Sequence, residues 1–322
     1  VLDEPRPDAA SRVAAGLMNP ITGRKFVKSW RVDELLPVAW ETYRELEARL
    51  GLSVFYRANI LRAWARQQDE NQWLERSGWP GYEKYMLDEA ALGRYAHSLC
   101  PAHGYGEVTR SGRADLGRLV DAYRQYLRSR ELYREEAVDY SRFEKQADGR
   151  WQYGELTAGR VVFCEGYRAV FNPFFNYLPF RGAKGEVLIV HMPGAGFEKI
   201  VKQAGLFIVP LGEDRYWVGS AYQNQFEHTR PTPEGRARLE ARLQQLVDLP
   251  YELLEHRAAV RPTVKDRRPF LGEHPQQKGL FLFNGLGTKG ASLGPFFARQ
   301  LADQLLHGAP LDPEVDIRRF DS

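Results

Sequence analysis

Apolar positions recur at helical spacing over residues 32–50, where Leu35, Leu36, Ala39, Trp40, Tyr43, Leu46 and Leu50 share one stripe. A second helical stripe covers residues 115–129 through Leu116, Leu119, Val120, Tyr123 and Leu127. Helices are also predicted over 233–246, with Thr232 as N-cap ahead of Pro233, and over 295–306. Short apolar runs between turn residues predict strands at 54–56, 60–65, 160–164, 186–192, 206–210, 216–222 and 280–283. Residues 1–5 read as the end of a buried strand closed by acids and a proline, and 149–153 as a hairpin tip after Ala-Asp-Gly-Arg. Residues 67–100 mix short helices with aromatics. Residues 9–26 are small, glycine-containing and nearly free of acids, which suits backbone lying against a ligand. Strand–turn–helix patterns at both ends flank a long stretch of antiparallel character. The expected architecture is one α/β domain assembled from distant segments, with an α+β domain inserted.

Composition narrows the function. The 322 residues include 45 basic and 42 acidic ones, a net charge of +3, and this near-balance argues against a dedicated nucleic-acid binder. No apolar run reaches the ~18 residues of a membrane span. The two cysteines, Cys100 and Cys164, match no zinc or redox spacing, and His97 and His103 add no ligand pattern, so no metal is expected. A reduced, cytoplasmic chain is the simplest reading. Because the residues from Val1 read as opening inside a strand, an upstream segment is expected.

Three constellations carry chemistry. Residues 281–295 form a strand, a turn with Gly285, Gly287 and Gly290, then a helix. Such a turn lets backbone N–H groups approach a ligand, and the helix start offers positive charge, to which Lys289 adds. A packing helix behind a flexible turn is the plainer alternative. Residues 260–272 hold Arg261 before Pro262, which favours extended backbone and suits a guanidinium gripping a carboxylate. A basic surface loop is the plainer alternative there. Asp3, closing its strand ahead of Ser11-Arg12-Val-Ala-Ala15-Gly16-Leu17, suits ribose hydroxyls or is merely a solvated cap.

In order, the acid-ended strand with Ala-Ser-Arg-x-Ala-Ala-Gly, Val-Val-Phe-Cys-Glu-Gly at 161–166, Val-Arg-Pro-Thr-x-x-Asp-x-x-Pro-x-x-Gly at 260–272, and Gly-x-Gly-x-Lys-Gly at 285–290 resemble the D-amino-acid oxidase superfamily, especially its glycine oxidase and sarcosine oxidase branches. The resemblance implies a FAD-binding Rossmann-like α/β domain (1–30, 105–175 and 256–322) and a substrate domain on an antiparallel sheet (31–104 and 176–255). It implies a Gly-x-Gly-x-x-Gly strand–turn–helix ahead of Asp3, which these residues do not contain. It assigns Asp3 to the ribose, and Ser11, Arg12, Ala15, Gly16 and Leu17 to the loop from pyrophosphate to flavin. Val138 falls loosely at adenine and Gly166 closes the Val-Val strand. Gly285, Gly287, Thr288, Lys289 and Gly290 fall along the flavin's pyrimidine edge. Arg261 holds the substrate carboxylate and Tyr222 lines the site. With no cysteine after Cys164, a cysteinyl flavin link late in the chain is excluded and FAD is noncovalent. The implied activity is oxidation of a small amino acid or secondary amine by hydride transfer to flavin N5, with oxygen or another acceptor. Two alternatives are a flavoenzyme modifying tRNA aminomethyl-uridine and a flavin-free binding remnant of the fold. The aromatic run 171–180 is read as core in preference to a pocket roof. The basic stretch 24–31 is read as a solvated edge or a guide for anionic substrates.

Overall fold

The computed structural model describes residues 1–88, 90, 92, 95–203 and 205–320. Its helices are α1 (Ala10–Val13), α2 (Val32–Leu50), α3 (Gln67–Ser77), α4 (Leu116–Arg128), α5 (Pro233–Gln244) and α6 (Gly290–His307). The stripe predicted over 32–50 is α2, which turns Leu35, Leu36, Ala39 and Tyr43 inward and ends on Gly51 in the left-handed conformation. Asp115 caps α4 by accepting the Arg118 N–H at 3.0 Å, and Thr232 caps α5 by accepting the Gly235 N–H at 3.0 Å.

One eight-stranded sheet dominates. Its order is Glu252–Val264, Phe180–His191, Arg215–Gln223, Leu206–Gly212, Ile200–Gln203, Ile60–Trp64, Gly104–Val108, Met86–Leu87. All neighbours are antiparallel except Ile200–Gln203 beside Ile60–Trp64. Alternation assigns each strand two faces. On one, Leu61, Val201, Ile208, Val218 and Leu188 pack with Leu239 and Leu243 of α5. On the other, Ile60, Trp64, Ile200, Val209, Trp217 and Val187 pack with Val13, Ala15, Met18 and Ala291. The expected domain limit at 104/105 falls within the strand Gly104–Val108, and that at 255/256 within Glu252–Val264. Helix α2 packs against α6.

The α/β part shows parallel ladders. Leu2–Asp3 runs beside Arg134–Glu135, and Val161–Phe163 beside Leu280–Asn284. This mixed α/β architecture is the expected fold class. The aromatic run is largely core, with Phe175 and Leu178 buried against Phe163 and Phe270, although Phe171 and Tyr177 are exposed.

Three elements differ in extent from expectation. The strand predicted at 186–192 begins at Phe180, because it pairs along its length with Glu252–Val264, a strand not foreseen beyond the extended backbone at Arg261. The last helix begins at Gly290, not at residue 295. Pro295 sits inside it, and its missing N–H frees the carbonyl of Ala291. The Tyr43 hydroxyl of α2 donates to that carbonyl at 2.8 Å, so the proline ties two helices together instead of ending one.

Candidate functional site

The two parallel strands Val161–Phe163 and Leu280–Asn284 end side by side, each running into a glycine turn. Gly166 has φ 58° and Gly285 has φ 74°, conformations that glycine adopts without strain. Asn284 joins the turns: its amide donates to the Gly166 carbonyl at 2.9 Å and its oxygen accepts the Gly285 N–H at 2.8 Å. In open α/β sheets the ground beyond the carboxyl ends of parallel strands is where ligands bind. Gly287, at φ 55°, donates its N–H to the Pro262 carbonyl at 3.1 Å, tying this turn to the strand that carries Arg261. A Cβ at Gly287 would meet nothing closer than Thr263 Cγ2 at 3.8 Å, so the turn has an open side. Thr288 is exposed, and Lys289 precedes α6 at the N-cap position without making a side-chain cap.

The stretch 9–29 reaches this turn from the other side. Lys289 Nζ donates to Ser29 Oγ at 3.2 Å, and Ser29 Oγ donates to the Asn19 carbonyl at 2.8 Å. Ala15 and Ala291 lie in one core cluster, and the Leu17–Met18 strand packs on α6. Trp217 of the large sheet donates Nε1–H to the Val13 carbonyl at 2.8 Å. Gly16, at φ 65°, is dictated by packing: a Cβ there would lie 1.8 Å from the Ala114 carbonyl oxygen. The turns at 11–17 and 285–290 therefore converge on one face of the sheet.

Asp3, Arg12 and Val138 form a separate group. The Asp3 Oδ2 accepts from Arg124 Nε at 2.6 Å and from the Tyr133 hydroxyl at 3.0 Å. Among the described residues, no bond engages its Oδ1. Ser11 lies in α1, and Arg12 pairs with Asp121 of α4. Val138 is half-buried, two residues after Glu136, whose N–H donates to the Asp3 carbonyl at 3.1 Å.

Arg261 and Tyr222 come together across the sheet. Arg261 stands on the edge strand, and its side chain crosses the neighbouring strand over Gly185 to reach the third. There Nη2 donates to Ser220 Oγ at 2.7 Å, and the guanidinium carbon lies 5.6 Å from the centre of the Tyr222 ring. Only glycine fits beneath it, since a Cβ at Gly185 would stand 2.2 Å from Nη2. Arg261 Nη1 is buried without a hydrogen-bond partner. Burial pushes the guanidinium pKa down, but an arginine stays charged. Tyr222 is 51% exposed, so this end of the site opens to solvent.

Two residues not singled out in the sequence extend the same face. Arg62 and Lys202 are register partners, and Lys202 is in turn the partner of Phe207, whose ring centre lies 4.4 Å from Nζ. Burial, then the neighbouring charges of Arg62 and Lys289, push the Lys202 ammonium down to about 7. Burial likewise lowers Arg62, to about 10, and its Nε is buried and unpartnered. Burial, Arg267 and Arg268 lower Lys289. A legible signal was present: in Ile60-Leu-Arg62-Ala-Trp64, the arginine occupies the same side of the alternation as Ile60 and Trp64. Two surface depressions, one lined by Gln244 and Val247–Tyr251 and one by Gly196–Glu198, Pro210 and Gly212–Tyr216, touch none of these groups.

Comparison with known proteins gives concordant findings. The family model described as "FAD dependent oxidoreductase" (DAO) matches residues 1–304. A glycine oxidase of Pseudomonas aeruginosa is 26% identical over 167 residues, covering 50% of this chain and 45% of that protein. A bifunctional tRNA 5-methylaminomethyl-2-thiouridine biosynthesis protein of Marinobacter nauticus is 26% identical over 176 residues, covering 50% of this chain and 27% of that protein. These matches thus span less than half of each curated relative. The crystal structure of iminodiacetate oxidase from Chelativorans sp. BNC1 superposes with a TM-score of 0.79 at 19% identity, covering 98% of this chain and 91% of the other. Among the described residues, no helix is long and apolar enough to cross a membrane, and no group of three or more His, Cys, Asp or Glu side chains is placed to hold a metal.

Proposed function

Given that the chain belongs to the DAO family of FAD-dependent oxidoreductases, we propose that it oxidises a small amino acid or secondary amine bearing a carboxylate. Arg261 carries this reading: a buried guanidinium with Nη1 unsatisfied, beside an open aromatic wall, is built to receive an anion. The substrate carboxylate takes Nη1, and Ser220 fixes the fork by holding Nη2. Tyr222 covers the guanidinium from the solvent side. Glycine oxidase and iminodiacetate oxidase, two of the similar proteins, are named for substrates of this chemistry.

The residues present fit FAD. The uncapped start of α6, the open side of Gly287 and the cations beside it suit an electron-rich ring edge, and the second oxygen of Asp3 suits a ribose hydroxyl. We assign Gly285, Gly287, Thr288, Lys289 and Gly290 to the pyrimidine edge, and Ser11, Arg12, Ala15, Gly16 and Leu17 to the path from pyrophosphate to ring. Val138 and Gly166 stand beside the adenine and ring ends respectively. When bound, the flavin accepts the hydride from the substrate carbon. The protein's part is to orient that carbon through Arg261, line the site with Tyr222 and Phe207, and favour negative charge on the ring edge through Lys289.

Anaerobic titration of the flavin absorbance near 450 nm with glycine, sarcosine, proline, iminodiacetate and D-amino acids tests the reading. Bleaching by at least one of them is expected, and no bleaching by any removes the proposal. The tRNA-modifying relative motivates one added arm, an aminomethyl-uridine tRNA, which reduces the flavin in place of the amino acids if that substrate is the true one. Oxygen uptake identifies the acceptor.

A further inference from the structure

We infer that the substrate carries a second anionic group, held by Lys202 and Arg62 at the far end of the site from Arg261. The inference rests on the amine-oxidation reading for the reacting centre, but its own observations are separate.

Lys202, Arg62 and Arg261 lie on one face of the sheet. The guanidinium of Arg261 ends over the strands Phe180–His191 and Arg215–Gln223. Lys202 stands two strands beyond the second of these and Arg62 three. At the usual strand spacing the backbone separation to Lys202 is about 10 Å, which long side chains leaning inward shorten to the length of a small dicarboxylate. Phe207 stands on the strand between them, and its register partner Gly219 lies beneath the Trp217 ring, so aromatic side chains line the gap.

Among the described residues, Lys202 has no acidic partner and no hydrogen bond; its contact is the Phe207 ring. Arg62 donates weakly to the Gly23 carbonyl at 3.5 Å and lies over the Phe26 ring, and its Nε has no partner. The acid felt by Arg62 is Asp69, which already accepts from the Ala65 N–H at 3.1 Å and faces Arg66. Adjacent buried cations repel and lose hydration. An anion arriving from solvent relieves both penalties. Lys289, bonded to Ser29, belongs to the turn around the ring edge, so Lys202 and Arg62 are left for a different anion.

The test uses the full-length holoprotein and non-oxidisable probes: glutarate and succinate against butyrate, measured by titration calorimetry and by the flavin difference spectrum. The expected result is that one dicarboxylate binds about tenfold or more tightly than butyrate, a difference lost in Lys202→Met and regained in Lys202→Arg. Equal affinity for mono- and dicarboxylates overturns the inference. So does a Lys202→Met protein that sheds FAD yet keeps the preference, because the cations then serve the cofactor. If Lys202→Met does not fold, Arg62→Met reads the same preference. Should dicarboxylates be preferred while no amine bleaches the flavin, the oxidation reading fails and the anion subsite stands.

Discussion

The two faces of the eight-stranded sheet each carry a lysine, buried on one and half-buried on the other, and they treat it in opposite ways. On the α5 side Lys184, 2% exposed, meets Glu186, 1% exposed, at 3.1 Å. Glu186 also accepts from the Thr232 N–H at 3.0 Å, the Thr232 hydroxyl at 2.9 Å and lies 2.9 Å from His256 Nε2. Burial alone would raise that carboxyl, but Thr232 and Lys184 hold it below the ordinary range. Gly235 makes the room, since a Cβ there would lie 2.1 Å from Glu186 Oε2. On the other side Lys202 is surrounded by cations and an aromatic ring. One face closes its charge within the protein as a structural rivet on α5, and the other leaves its lysine among cations and an aromatic ring. A buried charge paired in the fold supports the fold; one left unpaired lowers stability and favours binding.

The largest expected effect tests the closed face. Glu186→Ala leaves Lys184 buried and unpaired, and should lower the unfolding free energy by about 3–5 kcal/mol in denaturant titration. Lys184→Met with Glu186→Leu should recover most of it. If the single variant is as stable as the wild type, the contrast between the faces is lost.

On the open face, Arg261→Ala should weaken a carboxylate substrate by about 2–5 kcal/mol, read as a rise in KM, while the unfolding midpoint stays near wild type. Gly185→Ala should act in the same direction by pushing the guanidinium off its seat. An unchanged KM in both would remove Arg261 from the site.

Lys202 gives a pH signature. Its folded pKa, about 7, lies below that of an unfolded lysine. Between the two, the unfolded chain binds the extra proton, so this group makes the ligand-free protein more stable as pH rises from about 7 toward the ordinary lysine range. The charged groups facing it, Arg62 and Lys289, are both cations and set the same sign. Lys202→Met should flatten that part of the stability–pH curve, and an unaltered curve would show that Lys202 is hydrated. The smallest effect belongs to Thr232→Ala, which removes the α5 cap and should lower stability by about 1 kcal/mol in thermal unfolding.

Much was legible before any coordinates. Periodicity located α2 and α4, the glycines after Asn284 announced the turn ahead of α6, and Arg261 before Pro262 announced extended backbone. These are local properties: a stripe, a glycine or a proline restricts its own backbone whatever the distant chain does. The sequence alone likewise determined the family, through motifs in a set order. Tertiary structure decided which charges are paired. Lys184 and Lys202 are both lysines inside alternating strands, and nothing local distinguishes them; a residue 2 positions along and a helix cap 46 residues from it neutralise the first, while the second meets Arg62 across a parallel pairing. Charge compensation depends on neighbours brought together by sheet order, and sheet order is a long-range outcome of packing that no local window encodes.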